Sequence, residues 1–211
     1  MKTLHALVKS KTHSHLLKSV TLLMLALLAS NAYAHAEVGV AGGLVSGFLH
    51  PIYGFDHLLA MVAVGLWGAQ LGKPAIFVLP ITFPLVMAVG GLIGMSGIYL
   101  PFVELGISAS ALALGGAVAL CLRPPIWVAA ILVGVFAIYH GHAHGTELPD
   151  AVNPLAYGIG FVISTGLMHL VGILLGALTR WPKGRQFIRG LGGAIAAAGV
   201  VFIVNSLGLL A

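Results

Sequence analysis

Two short stretches of this largely apolar chain combine histidines with an acidic residue. The first is residues 50–57 (HPIYGFDH), which contain two imidazoles and a carboxylate. The surrounding residues 38–72 carry no other charged side chain. The second is residues 140–147 (HGHAHGTE), with three histidines and a glutamate. Ionisable groups are costly inside a membrane and normally mark a site or a pathway. The two stretches therefore predict a membrane protein that handles a divalent metal ion.

The candidate ligands in the first stretch are His50, Asp56 and His57. Imidazole nitrogens combined with a carboxylate oxygen suit Ni²⁺, Co²⁺ or Zn²⁺. The structural alternative is that Asp56 caps the helix that follows, while the histidines are hydrogen-bonded core residues. We favour the ligand cluster, because both imidazoles need partners in apolar surroundings.

The candidate ligands in the second stretch are His140, His142, His144 and Glu147. On a helix, His140 and His144 share one face because they are four residues apart. His142 points elsewhere unless the helix frays at the neighbouring glycines. Taken alone, this stretch fits solvated histidines at a helix end as well as a transport site, and its combination with the first stretch favours the site.

The composition predicts the elements that must position these groups. Hydrophobic residues make up 59% of the 211 positions, charged residues 7%, and mean hydropathy is +1.07. These values predict an all-α fold, a polytopic membrane bundle of about six transmembrane units with short connections. The predicted units are residues 39–71, 74–95, 101–122, 125–144, 153–180 and 188–209.

The first predicted unit is too long for one straight crossing. As a continuous helix it would measure about 50 Å, against roughly 30 Å of hydrocarbon. Pro51 and Gly54 lie in its middle, so we expect the helix to break at Pro51–Gly54. Interrupted helices of this kind often build the binding sites of transporters.

A signal peptide is predicted at the N-terminus. Four lysines precede the apolar residues 20–29, which are followed by Ala32-Tyr33-Ala34. This order is typical of a secretory signal peptide, so residues 1–34 are expected to be cleaved, leaving one transmembrane helical domain at 35–211. The alternative is an uncleaved first helix. Much of the formal charge of +5 lies in this segment, so the basicity does not indicate a nucleic acid partner.

The loop charges predict an orientation. Arg180, Lys183, Arg185 and Arg189 crowd the fifth connection, which the positive-inside rule places in the cytoplasm. Six crossings then put the mature N-terminus and the C-terminus outside. Both polar stretches would face one outer entrance. Two further histidines, His35 at the expected cleavage point and His169 in the fifth unit, are left open as participants.

The motifs match a known family. Residues 50–65 (HPxxGxDHLxxMxxVG) resemble the signature of the HupE/UreJ family, and residues 140–147 (HGHAHGxE) resemble its second motif. The resemblance implies a permease of the bacterial inner membrane, not an enzyme, that takes up Ni²⁺ or possibly Co²⁺ without ATP. It implies a metal path through the seven candidate ligands named above.

The expected partners are the transported ion, with Zn²⁺ a further option, and the lipid bilayer. No prosthetic group is expected, and without a phosphate-binding glycine loop no nucleotide is expected. Nucleic acid is not an expected partner either, because the excess of basic residues lies in the signal segment. The chain could also form a homo-oligomer. Two rival functions are an intramembrane hydrolase, with metal-activated water and Glu147 or Asp56 as general base, and a delivery subunit that binds metal without moving it.

Overall fold

The computed structural model describes residues 43–148 and 153–209, and every regular element within these ranges is helical. The helices are α1 (Gly43–Tyr53), α2 (Phe55–Leu71), α3 (Ala75–Met95), α4 (Val103–Leu120), α5 (Ile126–Thr146), α6 (Pro154–Gly176) and α7 (Pro182–Ser206), with a short 3-10 turn at Ala177–Arg180. The predicted signal peptide lies outside the described residues.

Five of these helices, α3 to α7, are long and apolar enough to cross a membrane. The bent pair α1 and α2 makes a sixth crossing when it is counted as one unit. Large apolar side chains such as Leu85, Leu92 and Leu174 lie exposed on the outer surface of the bundle, as contact with lipid requires. The prediction of an all-α, polytopic membrane bundle with a broken first unit is therefore confirmed.

The break is narrower than the sequence predicted. Pro51 lies inside α1 and is buried, and the chain turns only at Gly54, where α2 leaves α1 at 82°. Gly54 is extended (φ −81°, ψ 99°), its N–H bonds back to the His50 carbonyl at 3.4 Å, and its own carbonyl accepts the Leu58 N–H at 2.8 Å. One residue thus closes the first helix and opens the second.

Helix α2 occupies the centre of the bundle. It contacts α1, α3, α4, α6 and α7. Its own side chains Met61, Leu66 and Trp67, which point to different sides of the helix, are almost fully buried. The Trp67 indole Nε1 donates a hydrogen bond to the Leu122 carbonyl at 3.0 Å, which ties α2 to the end of α4. The surrounding helices therefore fix the position of α2, and with it the position of Asp56 and His57 in its first turn.

Helix α6 runs alongside both halves of the broken unit. Gly47 of α1 lies against the backbone of Tyr157, and Gly65 of α2 lies against the backbone of His169, with no room for a side chain at either contact. The Gly47 contact lies nearer the start of α6 than the Gly65 contact, so the broken unit as a whole advances along α6 from its first residues towards its last. The side chain of Asn153 caps the start of α6 by accepting the Ala156 N–H at 3.0 Å.

Charge is separated between the two ends of the bundle. Within the described ranges every lysine and arginine lies at the end where α2, α4 and α6 connect to the helices that follow them: Lys73, Arg123, Arg180, Lys183, Arg185 and Arg189. We call this the basic end. Glu104 and Glu147 lie at the opposite end, where α4 begins and α5 ends. We call that the histidine end.

Candidate metal centre

The two polar stretches meet at the histidine end. His50 comes from the last turn of α1, His144 from the last turn of α5, and Glu147 directly follows α5. One donor atom from each of these three residues lies within 4.8 Å of the other two. His50 Nε2 and Glu147 Oε2 are 3.7 Å apart. We call these three residues the rim cluster.

Two more imidazoles continue inwards from the rim cluster. The His57 ring lies 4.4 Å from the His144 ring and 4.4 Å from the His140 ring, measured between centroids, and the His50 and His144 rings are 4.8 Å apart. The side chains of His50, His144, His57 and His140 therefore form a continuous series, which we call the histidine row. The row extends from the rim cluster to the fully buried His140.

Asp56 orients His57. Its Oδ1 accepts the His57 backbone N–H at 2.8 Å and lies 3.0 Å from His57 Nδ1. A carboxylate at this distance holds the ring proton on Nδ1, so the lone pair is on Nε2. That nitrogen is buried and makes no hydrogen bond to any described residue. A carboxylate behind a histidine is the usual support of a metal-binding imidazole.

Asp56 also stabilises the start of α2. The N-cap position of α2 is Gly54, and Asp56 lies two residues further on, in the first turn. Its bond to the His57 N–H satisfies one of the free amides of that turn. Asp56 therefore stabilises the helix start and orients the imidazole at the same time, so the capping and ligand interpretations are not exclusive.

Ser110 of α4 orients His140. The Ser110 hydroxyl donates to the Ile107 carbonyl at 2.5 Å, and its oxygen lies 2.9 Å from His140 Nε2. Because the serine proton is already used, the hydroxyl oxygen accepts a hydrogen bond from the Nε2–H group, and the lone pair of His140 is then on Nδ1. His140 Nδ1 is buried and has no hydrogen-bond partner in the described part of the chain.

His142 points away from the row. Helix α5 continues to Thr146, so His142 lies on another face, and its Nε2 is 2.8 Å from the Ile98 carbonyl in the connection between α3 and α4. The structure thus brings six of the seven candidate ligands together or into direct contact with the row, and leaves His142 as a tie between two elements.

Several neighbours of the row carry no signal in the sequence motifs. The Tyr157 ring lies 6.0 Å from the His50 ring, and its buried hydroxyl makes no hydrogen bond to a described residue. The Phe161 ring is 4.1 Å from the His144 ring, and the Phe83 ring is 5.3 Å from the His140 ring. The hydroxyl of Ser110, inside an apolar helix, was the one available hint, because such groups bridge membrane helices.

The charges of the row suit a divalent cation. Neutral imidazoles add no charge, so Asp56 and Glu147 give the site two negative charges. Both carboxylates are partly exposed, while His140 is fully buried, so the row leads from an accessible rim to a dry interior. A nitrogen-rich set with carboxylate oxygens favours Ni²⁺, Co²⁺ and Zn²⁺ over Mg²⁺ or Ca²⁺.

Comparison with known proteins agrees with the motif resemblance. A family model described as HupE / UreJ protein matches residues 22–202. A relative named Protein HupE, from Rhizobium leguminosarum bv. viciae, is 45% identical over 182 residues, which cover 86% of this chain and 95% of the relative. No solved structure matches the chain. The chain belongs to the HupE/UreJ family.

Proposed function

We propose that this protein is a permease that carries a divalent transition metal ion through the membrane, with Ni²⁺ as the preferred cargo and Co²⁺ next. The HupE/UreJ family is associated with nickel and cobalt transport, and membership supports a role in metal transport. The proposal adds the ion, the direction and the residues: uptake from outside, along the histidine row, without ATP.

The observation that carries the proposal is the convergence of the rim cluster. Three donor atoms from His50, His144 and Glu147 lie within 4.8 Å of one another, although His50 is far from the other two residues in the chain. Partly buried groups of this kind are expensive in a membrane unless they serve a function. The free nitrogens of His57 and His140 provide further imidazole donors deeper in the bundle. A series of donors fits a transported ion better than an ion that is permanently bound at one position.

The charge separation supports uptake through the histidine end. Placing the basic end in the cytoplasm follows the positive-inside rule, and it turns the rim cluster to the outside of the inner membrane. The membrane potential then pulls a divalent cation inwards with about 4–5 kcal/mol per 100 mV. This is enough to drive accumulation without a nucleotide.

Transport by the purified protein tests the proposal. The full chain is reconstituted into sealed liposomes that contain a metal-sensitive dye, and influx of Ni²⁺, Co²⁺ and Zn²⁺ is recorded. His144→Ala removes a member of both the rim cluster and the row, and we expect it to reduce influx about tenfold or more. His142→Gln is the matched control, because it removes an imidazole from the same helix but keeps a donor for the Ile98 carbonyl.

The outcomes separate this function from its rivals. Selective influx that is lost in His144→Ala and retained in His142→Gln supports the permease and names its metal. Absence of influx for every ion, together with tight binding of one metal equivalent, contradicts it and favours a hydrolase or a delivery subunit. Equal loss in both variants contradicts the assignment of the path to the histidine row.

A further inference from the structure

One more buried imidazole lies beyond the histidine row. His169 of α6 is 1% exposed, and it follows Pro154, the first residue of that helix, by fifteen positions. At 1.5 Å per residue this places it about 22 Å from the histidine end of α6 and about 10 Å from the other end, at Gly176. His169 therefore lies past the middle of the bundle, towards the basic end.

Phe83 of α3 lies between the histidine row and His169. Its ring centroid is 5.3 Å from that of His140 and 5.6 Å from that of His169, and Phe83 is fully buried. The series of rings that starts at the rim cluster thus continues across α3 to α6, with one ring that offers no lone pair. The Phe83 ring is therefore in contact range of both His140 and His169.

The backbone of α3 supplies an oxygen next to His169. In a regular helix the amide of residue 84 would bond to the carbonyl of residue 80, but Pro84 has no N–H, so the Pro80 carbonyl is released from the helix ladder. Pro80 lies three residues before Phe83 and shares the face of α3 on which the Phe83 ring meets His169. Neither ring nitrogen of His169 makes a hydrogen bond of normal geometry to a described residue.

We propose that His169 and the Pro80 carbonyl form an inner binding position for the transported ion, separated from the histidine row by Phe83. The inference rests on the proposed function, since it assigns the next stop on the same path. An imidazole nitrogen with a carbonyl oxygen suits a divalent ion of the nickel, cobalt and zinc group. Neither donor is a carboxylate, so this position binds more weakly than the row, as release towards the basic end requires.

A purely structural role for His169 would be a helix-to-helix contact with the Pro80 carbonyl. His169→Gln separates the two roles, because the glutamine amide can still donate to that carbonyl but is a poor ligand for these ions. Met168→Leu is the matched control, because Met168 is the neighbouring buried residue of α6 and carries no nitrogen.

Two quantities are measured for wild-type protein and both variants: Ni²⁺ influx into proteoliposomes, and the Kd for Co²⁺ from absorption titration of the purified full chain in detergent. For His169→Gln we expect influx to fall about tenfold, while the Kd, which reports the histidine row, changes less than about twofold. Met168→Leu is expected to match the wild type in both. Wild-type influx in His169→Gln would overturn the inner position.

A second measurement avoids any variant that fails to fold. Crystals of the wild-type protein are soaked in Co²⁺, and the anomalous scattering is mapped. A peak beside His169, on the far side of Phe83 from the row, supports the inner position, and a peak confined to the row overturns it. Wild-type protein that neither binds nor moves metal would instead refute the proposed function itself.

Discussion

At the scale of single residues, the site depends on how each imidazole is oriented. Asp56 orients His57 and Ser110 orients His140. Each imidazole keeps one ring nitrogen that makes no hydrogen bond to a described residue. These partners come from different helices, so the row is held by the bundle as a whole. Removing an orienting group should therefore weaken metal binding even though every imidazole of the row is kept.

Asp56→Asn tests the orienting carboxylate. The amide keeps the size of the side chain but loses the charge that holds the proton on His57 Nδ1, so we expect the Kd for Co²⁺ to rise about 10–100-fold. The measurement is absorption titration of the purified protein. Thr146→Val is the control, because Thr146 bonds only to carbonyls of its own helix near the rim cluster. An unchanged Kd in Asp56→Asn would contradict the orienting role.

Acid should release the metal. A protonated imidazole has no lone pair, so protons compete with the metal for these nitrogens. We therefore expect influx of Ni²⁺ to fall as the pH is lowered from about 7.5 to about 5.5. Influx measured in proteoliposomes that stayed constant down to pH 5 would argue against imidazole ligation.

At this scale the sequence predicted which face of α5 carries the candidate ligands, but it could not predict their neighbours. The four-residue spacing of His140 and His144 sets their common face, and His142 lies elsewhere, as the helical period requires. The positions of Phe83 and Tyr157 depend on how α3 and α6 are rotated. In a membrane both the lipid-facing and the core-facing sides of a helix are apolar, so hydropathy does not determine that rotation.

At the scale of elements, the site depends on close packing between α3 and α5. Gly141, inside the second polar stretch, lies against the Met87 carbonyl and the Gly91 amide, so that a Cβ at this position would overlap backbone atoms. Backbone atoms cannot turn aside as a flexible side chain does. The two helices are held at the separation that places His140 and His144 beside α2.

Gly141→Leu should therefore push α5 away from α3. We expect a loss of stability of about 1–3 kcal/mol, measured as a lower Tm of the purified protein in detergent, together with weaker Co²⁺ binding. Gly134→Ala is the control on the same helix, because its nearest neighbours are ordinary side-chain contacts at 3.9 Å. Equal Tm values for the two variants would show that the α3–α5 contact is not tight in solution.

The elements themselves were largely predictable. Proline and glycine in the connections marked the limits of the long helices, although Pro80 and Pro84 lie inside α3. The break lies at Gly54, within the predicted Pro51–Gly54 segment: Pro51 falls near the end of α1, where one lost backbone hydrogen bond is tolerated, and Gly54 supplies the extended conformation. Sequence rules locate such a break to within one turn of helix, whereas the exact residue at which the helix breaks depends on packing against α6.

At the scale of the whole molecule, the separation of charge predicts an orientation that labelling can test. With the native Cys121 replaced by serine, Ser96→Cys reports the histidine end and Arg123→Cys the basic end, and both positions are exposed. A membrane-impermeant maleimide added to intact cells with a permeabilised outer membrane should label Ser96→Cys and spare Arg123→Cys. The reverse pattern would mean that the rim cluster faces the cytoplasm.

The 82° bend at Gly54 divides the candidate ligands between two rigid segments, since His50 lies on α1 and His57 on α2. A single glycine joins these segments, so their relative angle has little resistance of its own. An ion shared by His50, His144 and His57 would act as a tether across that joint. The angle of the first membrane unit would then depend on occupancy, and the cargo itself would lower the conformational entropy of the protein that carries it.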